Sequence, residues 1–79
     1  MHDFDHEIDL SGLQCPLPVL KARKRMMSLK YGELLKILAT DPAAAIDFPH
    51  YCCESGNELV WHGKQAGTLV FIIRKTHTG

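Results

Sequence analysis

Hydrophobic and polar residues alternate with two different periods along this chain, and the periods predict strands and helices in turn. Residues 4–10 (FDHEIDL) alternate strictly between an apolar side and an acidic side. An alternation of this kind is typical of a half-buried strand. Gly12 follows it and is expected to help end the strand.

Residues 16–30 repeat their apolar positions with the period of a helix, and the basic residues fall on the opposite side. The predicted apolar stripe consists of Val19, Leu20, Ala22, Met26, Met27 and Leu29. Because glycine readily adopts the left-handed conformation in which many helices end, we expect Gly32 to end this one.

Residues 33–40 are almost continuously apolar, which favours a central strand over an edge strand. A second helix is expected to begin with Asp41 as its N-cap and Pro42 at its first position. Pro49 removes an interior hydrogen bond, so we expect a kink or a restart of the helix there. Gly56 is expected to end the second piece.

Residues 57–62 and 68–74 predict two further strands, joined by a hairpin loop over residues 63–67. The order β-α-β-α-β-β predicts an α/β (α+β) two-layer sandwich, in which a four-stranded mixed sheet carries two helices on one face. At 79 residues, the chain is expected to form a single domain over residues 1–79.

The composition excludes several classes of protein. Hydrophobic residues make up 46% of the chain, which is too many for a disordered protein. No apolar run approaches the roughly 20 residues of a transmembrane helix, so no membrane association is expected. The first residues are acidic and carry no lysine or arginine, the reverse of a signal peptide. We therefore expect a cytoplasmic protein.

Positive charge is concentrated on the first predicted helix, although the net charge of the chain is zero. Lys21, Lys24 and Arg25 fall on the polar side of that helix and start about a turn after Cys15. They could be a solvated face, a docking surface for an acidic partner, or a contact with RNA. Three charges without interleaved aromatic residues are few for RNA, so direct nucleic-acid binding is not expected.

Cys15 is the residue best placed for chemistry. It lies between the first strand and the first helix, where we expect it to be the N-cap, and Pro16 and Pro18 are tolerated in the first turn. The N–H groups of Leu17 and Val19 and the helix dipole, worth about half a positive charge, are expected to lower the pKa of the thiol. A buried structural cysteine is the alternative. No Cys-x-x-Cys pair is present at this point, and a lone nucleophilic sulfur suits a carrier.

The other thiols and histidines predict no second reactive group. Three cysteines, an odd number, argue against a disulfide framework and for a reducing compartment. Of the adjacent Cys52 and Cys53, we expect one to pack against the sheet and the other to face outward. Their spacing to His50 is wrong for a zinc site, so we expect no metal and no cofactor. His6 could lie near Cys15, but a histidine on an apolar face is more often packed.

The segments DLSGLQCPLPVLKARKRM and ILATDPAAAIDFPHYCCESGNELV resemble the TusA (SirA-like) family of sulfur carriers, with its Cys-Pro-x-Pro motif after a strand and a glycine. The resemblance covers roughly residues 7–75. The motif residues are Gly12, Cys15, Pro16, Leu17 and Pro18. The resemblance implies that Cys15 accepts a sulfane sulfur as a persulfide from a cysteine desulfurase or a rhodanese-like protein and passes it to an acceptor protein. Members of the family serve tRNA thiolation, molybdenum-cofactor enzymes or sulfur oxidation.

Two functions of other classes stay open on the residues alone. The same fold could be a regulatory module in which Cys15 senses the redox state, or a small RNA-binding domain. A sulfur atom added to Cys15 by a desulfurase would support the carrier. Salt-dependent RNA binding without that addition would favour the RNA-binding domain.

Overall fold

A computed structural model describes residues 4–77, so the ends of the predicted domain, residues 1–3 and 78–79, lie outside the described residues. The elements are β1 (His6–Leu10), α1 (Leu17–Met26), β2 (Leu34–Ala39), α2 (Ala44–Ser55), β3 (Glu58–Gln65) and β4 (Thr68–Arg74). Their order confirms the predicted β-α-β-α-β-β arrangement. No helix among residues 4–77 is long and apolar enough to cross a membrane.

The four strands form one mixed sheet in the order β1-β2-β4-β3. β1 and β2 pair in parallel, and β4 runs antiparallel to both of its neighbours. β4 occupies an inner position and is the most deeply buried strand, with four consecutive buried residues from Val70 to Ile73. β2 lies between β1 and β4, which confirms that residues 33–40 contain a central strand.

Both helices cover one face of the sheet, as predicted. Alternate residues of β2, Leu35, Ile37 and Ala39, belong to the same buried cluster as the inner faces of α1 and α2. The ring of Phe48 in α2 packs on that of Phe71 in β4, with their centroids 4.8 Å apart. This core fixes α2 on the sheet and therefore determines which of its side chains face α1.

α1 differs from its prediction in length and in rotation. It ends at Met26 because the next hydrogen bonds have the tighter i to i−3 spacing, and Gly32 (φ +90°) lies in a later turn instead of capping the helix. Its buried residues are Pro18, Ala22 and Met26. Leu20 and Met27, predicted in the apolar stripe, are 51% and 69% exposed.

α2 begins later than predicted and runs past its proline. Ala43 holds the N-cap position. Asp41 lies two residues before it, and its carboxylate accepts a hydrogen bond from the Ala43 N–H at 3.1 Å. Pro49 lies inside a helix that continues to Ser55 without the predicted restart. Gly56, with φ +83°, ends the helix as predicted.

The β3–β4 hairpin is tighter than predicted. Its turn consists of Ala66 and Gly67 alone, both with positive φ (49° and 83°), as a type I′ hairpin turn requires. Gly63, predicted in the loop, lies within β3 under the ring of Trp61. A Cβ at that position would lie 2.8 Å from the ring, so the glycine is what lets the tryptophan lie flat.

Candidate functional site

The parallel pairing of β1 and β2 places the segments that follow these strands next to each other. The first segment carries Cys15 and the second carries Asp41. Two hydrogen bonds join them: the Gly12 N–H donates to Thr40 Oγ1 at 2.8 Å, and the Cys15 N–H donates to Asp41 Oδ2. The backbone of the cysteine is therefore fixed by residues from the other strand–helix connection.

The motif residues have distinct places around this connection. Gly12 adopts φ +83°, a conformation that favours glycine. The Cys15–Pro16 peptide bond is cis, and Pro16 is the N-cap residue of α1. Leu17 is exposed, whereas Pro18 is buried. Cys15 therefore precedes the helix by one residue more than predicted, and α1 has no side-chain cap.

The Cys15 thiol donates a hydrogen bond to a carboxylate of α2, with Sγ 3.0 Å from Asp47 Oδ2. This hydrogen bond raises the pKa of the thiol, and slight burial and the negative charges of Asp47 and Asp41 add to the effect. The prediction of a lowered pKa is therefore wrong. One part of its physical basis also fails, because the Leu17 N–H donates to the carbonyl of Gln14.

Cys15 opens into a cleft of about 180 Å³ between the two helices. One wall is formed by Pro16, Val19, Leu20 and Arg23, and the other by Asp47, His50, Tyr51 and Glu54. Arg23 and Asp47 were not identified as site residues from the sequence. Asp47 lies 32 positions from Cys15, and only the packing of α2 against α1 brings the two together.

The three basic residues singled out in the sequence lie on the flank of α1 away from the cleft. Lys21, Lys24 and Arg25 line a separate shallow groove with Ile8 and Ser28, and no residue is shared with the cleft. The arginine in the cleft is Arg23, whose guanidinium carbon lies 5.6 Å from the centre of the Tyr51 ring.

The three cysteines are all free. Cys52 is buried and Cys53 is exposed, which confirms that one packs inward and the other faces outward. Burial raises the pKa of the Cys52 thiol to about 11. Neither residue lines the cleft.

His6 does not line the cleft. His6 opens β1, at the end opposite the Cys15 connection, and its Nε2 atom lies 3.3 Å from Glu33 Oε1. Within residues 4–77, no group of three or more histidines, cysteines and acidic residues is arranged to hold a metal ion.

Comparison with known proteins identifies the family. The family model described as sulfurtransferase TusA matches residues 6–75. The chain belongs to the TusA family. The sulfur carrier protein TusA of Allochromatium vinosum is 42% identical over 76 residues, covering 96% of this chain and 100% of the relative. The TusA of Pseudomonas aeruginosa strain LESB58 is 42% identical over 74 residues, covering 94% of each chain.

The fold also matches that of a solved structure. The crystal structure of the SirA-like protein from Desulfitobacterium hafniense matches with a TM-score of 0.80 and 21% identity, covering 92% of this chain and 100% of that chain. Family membership gives this chain the role of a sulfur carrier, which receives sulfur from one protein and gives it to another.

Proposed function

We propose that Cys15 is the residue that carries the sulfur, as a persulfide. The thiolate of Cys15 attacks the outer sulfur of a persulfide on the donor protein. The sulfur–sulfur bond of the donor breaks, and the donor leaves as a thiolate that takes up a proton. The transfer conserves electrons, so it needs neither a cofactor nor an added oxidant.

The placement of the thiol at the cleft carries this proposal. Cys15 is exposed, its backbone is fixed by Asp41, and it borders a cleft of about 180 Å³ into which a second sulfur atom fits. Cys52 is buried, and Cys53 is exposed but lies outside the cleft. Of the three thiols, Cys15 alone is both exposed and on the cleft.

The partners proposed follow from the family and from this chemistry. The donor is a cysteine desulfurase or a rhodanese-like protein, and the acceptor is a downstream sulfur-accepting protein. The pathway is one of the three that the family serves, namely tRNA thiolation, molybdenum-cofactor enzymes or sulfur oxidation, in the cytoplasm. The transfer needs no base from this chain, because the partner that approaches Cys15 can supply one. This is in keeping with a relay protein that acts with partner enzymes.

Docking is proposed to use the groove lined by Lys21, Lys24 and Arg25. The two lysines are exposed and Arg25 is half-buried, and all three leave the groove positively charged. Because this groove is separate from the cleft, an acidic partner can bind α1 there without covering the thiol. Positive charge in this groove speeds the encounter with an acidic partner and takes no part in the transfer of sulfur.

The test is intact-protein mass spectrometry after incubation with a cysteine desulfurase and cysteine. The wild type and the Cys53→Ser variant should gain the mass of one sulfur atom, and the Cys15→Ser variant should gain none while keeping the circular dichroism of the wild type. Cys53→Ser is the matched control because it removes an exposed thiol outside the cleft. Equal sulfur addition to Cys15→Ser would contradict the proposal. RNA binding that depends on salt, with no sulfur added to any form, would favour the RNA-binding alternative.

A further inference from the structure

The short contact between Cys15 and Asp47 is unusual for a thiol that has to act as a nucleophile. A carboxylate can only accept a hydrogen bond, so the proton in the 3.0 Å contact belongs to the sulfur. The contact favours the thiol over the thiolate, because a thiolate would face a like charge at the same distance. Since the thiolate is the reactive form, the resting arrangement suppresses the reaction that the site is expected to perform.

The other charged groups of the cleft do not offset Asp47. Asp41 adds a second negative charge near the cysteine and uses its carboxylate on the backbone N–H groups of Cys15 and Ala43. Arg23 lies over the ring of Tyr51. His50 Nε2 is 3.2 Å from Glu54 Oε1. Among residues 4–77, the ion pairs join other residues, and none of them includes Asp47.

We propose that Asp47 is a positioning residue that holds Cys15 as a protonated thiol in the free carrier, until a positive group of the bound partner displaces or neutralises its carboxylate. This inference rests on the proposed function of Cys15. It assigns to the partner the step that frees the nucleophile, so that the carrier is least reactive when it is alone.

The same contact distinguishes the empty carrier from the loaded one. Before transfer, the Cys15 sulfur carries the proton that Asp47 accepts. When the thiolate attacks the donor persulfide, that proton leaves to solvent or to the departing donor thiolate, and the inner sulfur becomes bonded to carbon and sulfur only. The loaded carrier therefore has no proton on Sγ to give to Asp47, and an ionised outer sulfur would be repelled by it. Asp47 favours the empty form and assists delivery.

The experiment measures the rate at which iodoacetamide alkylates Cys15 across a range of pH, with the Cys15 peptide quantified by mass spectrometry. Asp47→Asn keeps the shape of the side chain and removes its charge. The midpoint of its pH profile should fall below that of the wild type. Because a thiolate loses intrinsic reactivity as its pKa falls, the rate at neutral pH should rise only roughly threefold. Asp47→Glu, which restores a carboxylate, should move the midpoint back towards the wild type.

Glu54→Gln is the matched control. It removes a carboxylate from the same helix and the same cleft, but Glu54 pairs with His50 and not with Cys15. The midpoint of this variant should shift far less than that of Asp47→Asn. An unchanged midpoint in Asp47→Asn, or equal shifts in Asp47→Asn and Glu54→Gln, would overturn the inference. If Asp47→Asn fails to fold by circular dichroism, Asp47→Ser replaces it, because serine is accepted near a helix start.

The same variants are also incubated with the desulfurase and cysteine. If all of them gain sulfur on Cys15 and none shows a shifted alkylation profile, only the role proposed for Asp47 is contradicted. A shifted profile in Asp47→Asn, with no sulfur added to any form, would contradict the carrier role of Cys15 and not the effect of Asp47 on the thiol. The two proposals therefore fail by different measurements.

Discussion

At the scale of single residues, the three cysteines differ in what surrounds their sulfur atoms. Cys15 faces a carboxylate at the edge of an open cleft, whereas Cys52 is enclosed by the core between α2 and the sheet. The pKa of both thiols is raised, but by different causes: mainly a hydrogen bond to Asp47 at Cys15, and desolvation at Cys52. Only the first cause can be removed by an approaching partner.

We expect Cys52 to resist alkylation in the folded protein. Its burial keeps iodoacetamide out. Burial also raises the pKa of the thiol to about 11, so the thiol stays protonated at neutral pH. Peptide mapping after brief treatment should show Cys52 unlabelled in buffer and labelled in urea, with the exposed Cys53 as the internal control. Labelling of Cys52 at the rate of Cys53 in the folded protein would contradict its place in the core.

The raised pKa of Cys52 also predicts the direction in which stability changes at high pH. The unfolded thiol ionises from about 9.0, whereas the folded one stays protonated until about 11. Unfolding therefore becomes easier as the pH rises through this window, because the unfolded chain releases a proton that the folded chain retains. A Cys52→Ala variant, which lacks this group, should lose less of its stability over the same range.

The sequence pointed to Cys15 as the residue proposed to react, but the direction predicted for its pKa was wrong. The position of Cys15 between a strand and a helix is local information, and it was sufficient to single out the thiol. The electrostatic surroundings come from Asp41 and Asp47, which lie 26 and 32 positions away. No local pattern indicates that the Asp41 carboxylate will bind the Cys15 N–H or that the Asp47 carboxylate will reach the sulfur, because these contacts depend on the pairing of β1 with β2 and on the packing of α2.

At the scale of elements, the helices show where periodicity is informative. The kinds and order of the elements were predicted because each has a clear period or an apolar run. The rotation of α1 was not, because apolar residues such as Leu20 and Met27 also occur at the surface. That rotation decides the site: it turns Arg23 towards Cys15 and turns Lys21 and Lys24 away.

The separation of the two flanks of α1 makes the docking proposal testable. Reversing Lys21 and Lys24 to Glu should slow sulfur transfer from a protein donor severalfold, and raised salt should slow the wild type similarly. Transfer from a small polysulfide should change far less, because neither lysine lines the cleft. Because both side chains are exposed, each replacement should change the free energy of unfolding by no more than about 0.5 kcal/mol.

Lys30 and Lys64 provide the control for that experiment. Both are exposed lysines outside the basic groove, so reversing the two of them changes the net charge equally. Equal slowing by the two double variants would show a general effect of net charge. Equal slowing of Lys21→Glu/Lys24→Glu with both donors would show an effect on the thiol instead of docking.

At the scale of the whole molecule, the site is a consequence of topology. β1 and β2 are parallel, so the connections that follow them meet at one end of the sheet, and the helices that follow lie side by side above it. The sequence predicted the sheet and its helices but not the insertion of β4 between β2 and β3. Strand order depends on contacts between segments far apart in the chain. The local sign that β4 takes an inner position is its unbroken apolar run.

We propose that sulfur passes through Cys15 in the cleft between α1 and α2. The most direct test is peptide-resolved mass spectrometry of the wild-type protein after incubation with a persulfidated donor, with the added sulfur trapped by an alkylating reagent. We expect the trapped persulfide on the peptide that contains Cys15, and its loss when an acceptor protein is added. A trapped persulfide confined to the peptide that contains Cys52 and Cys53 would contradict the account.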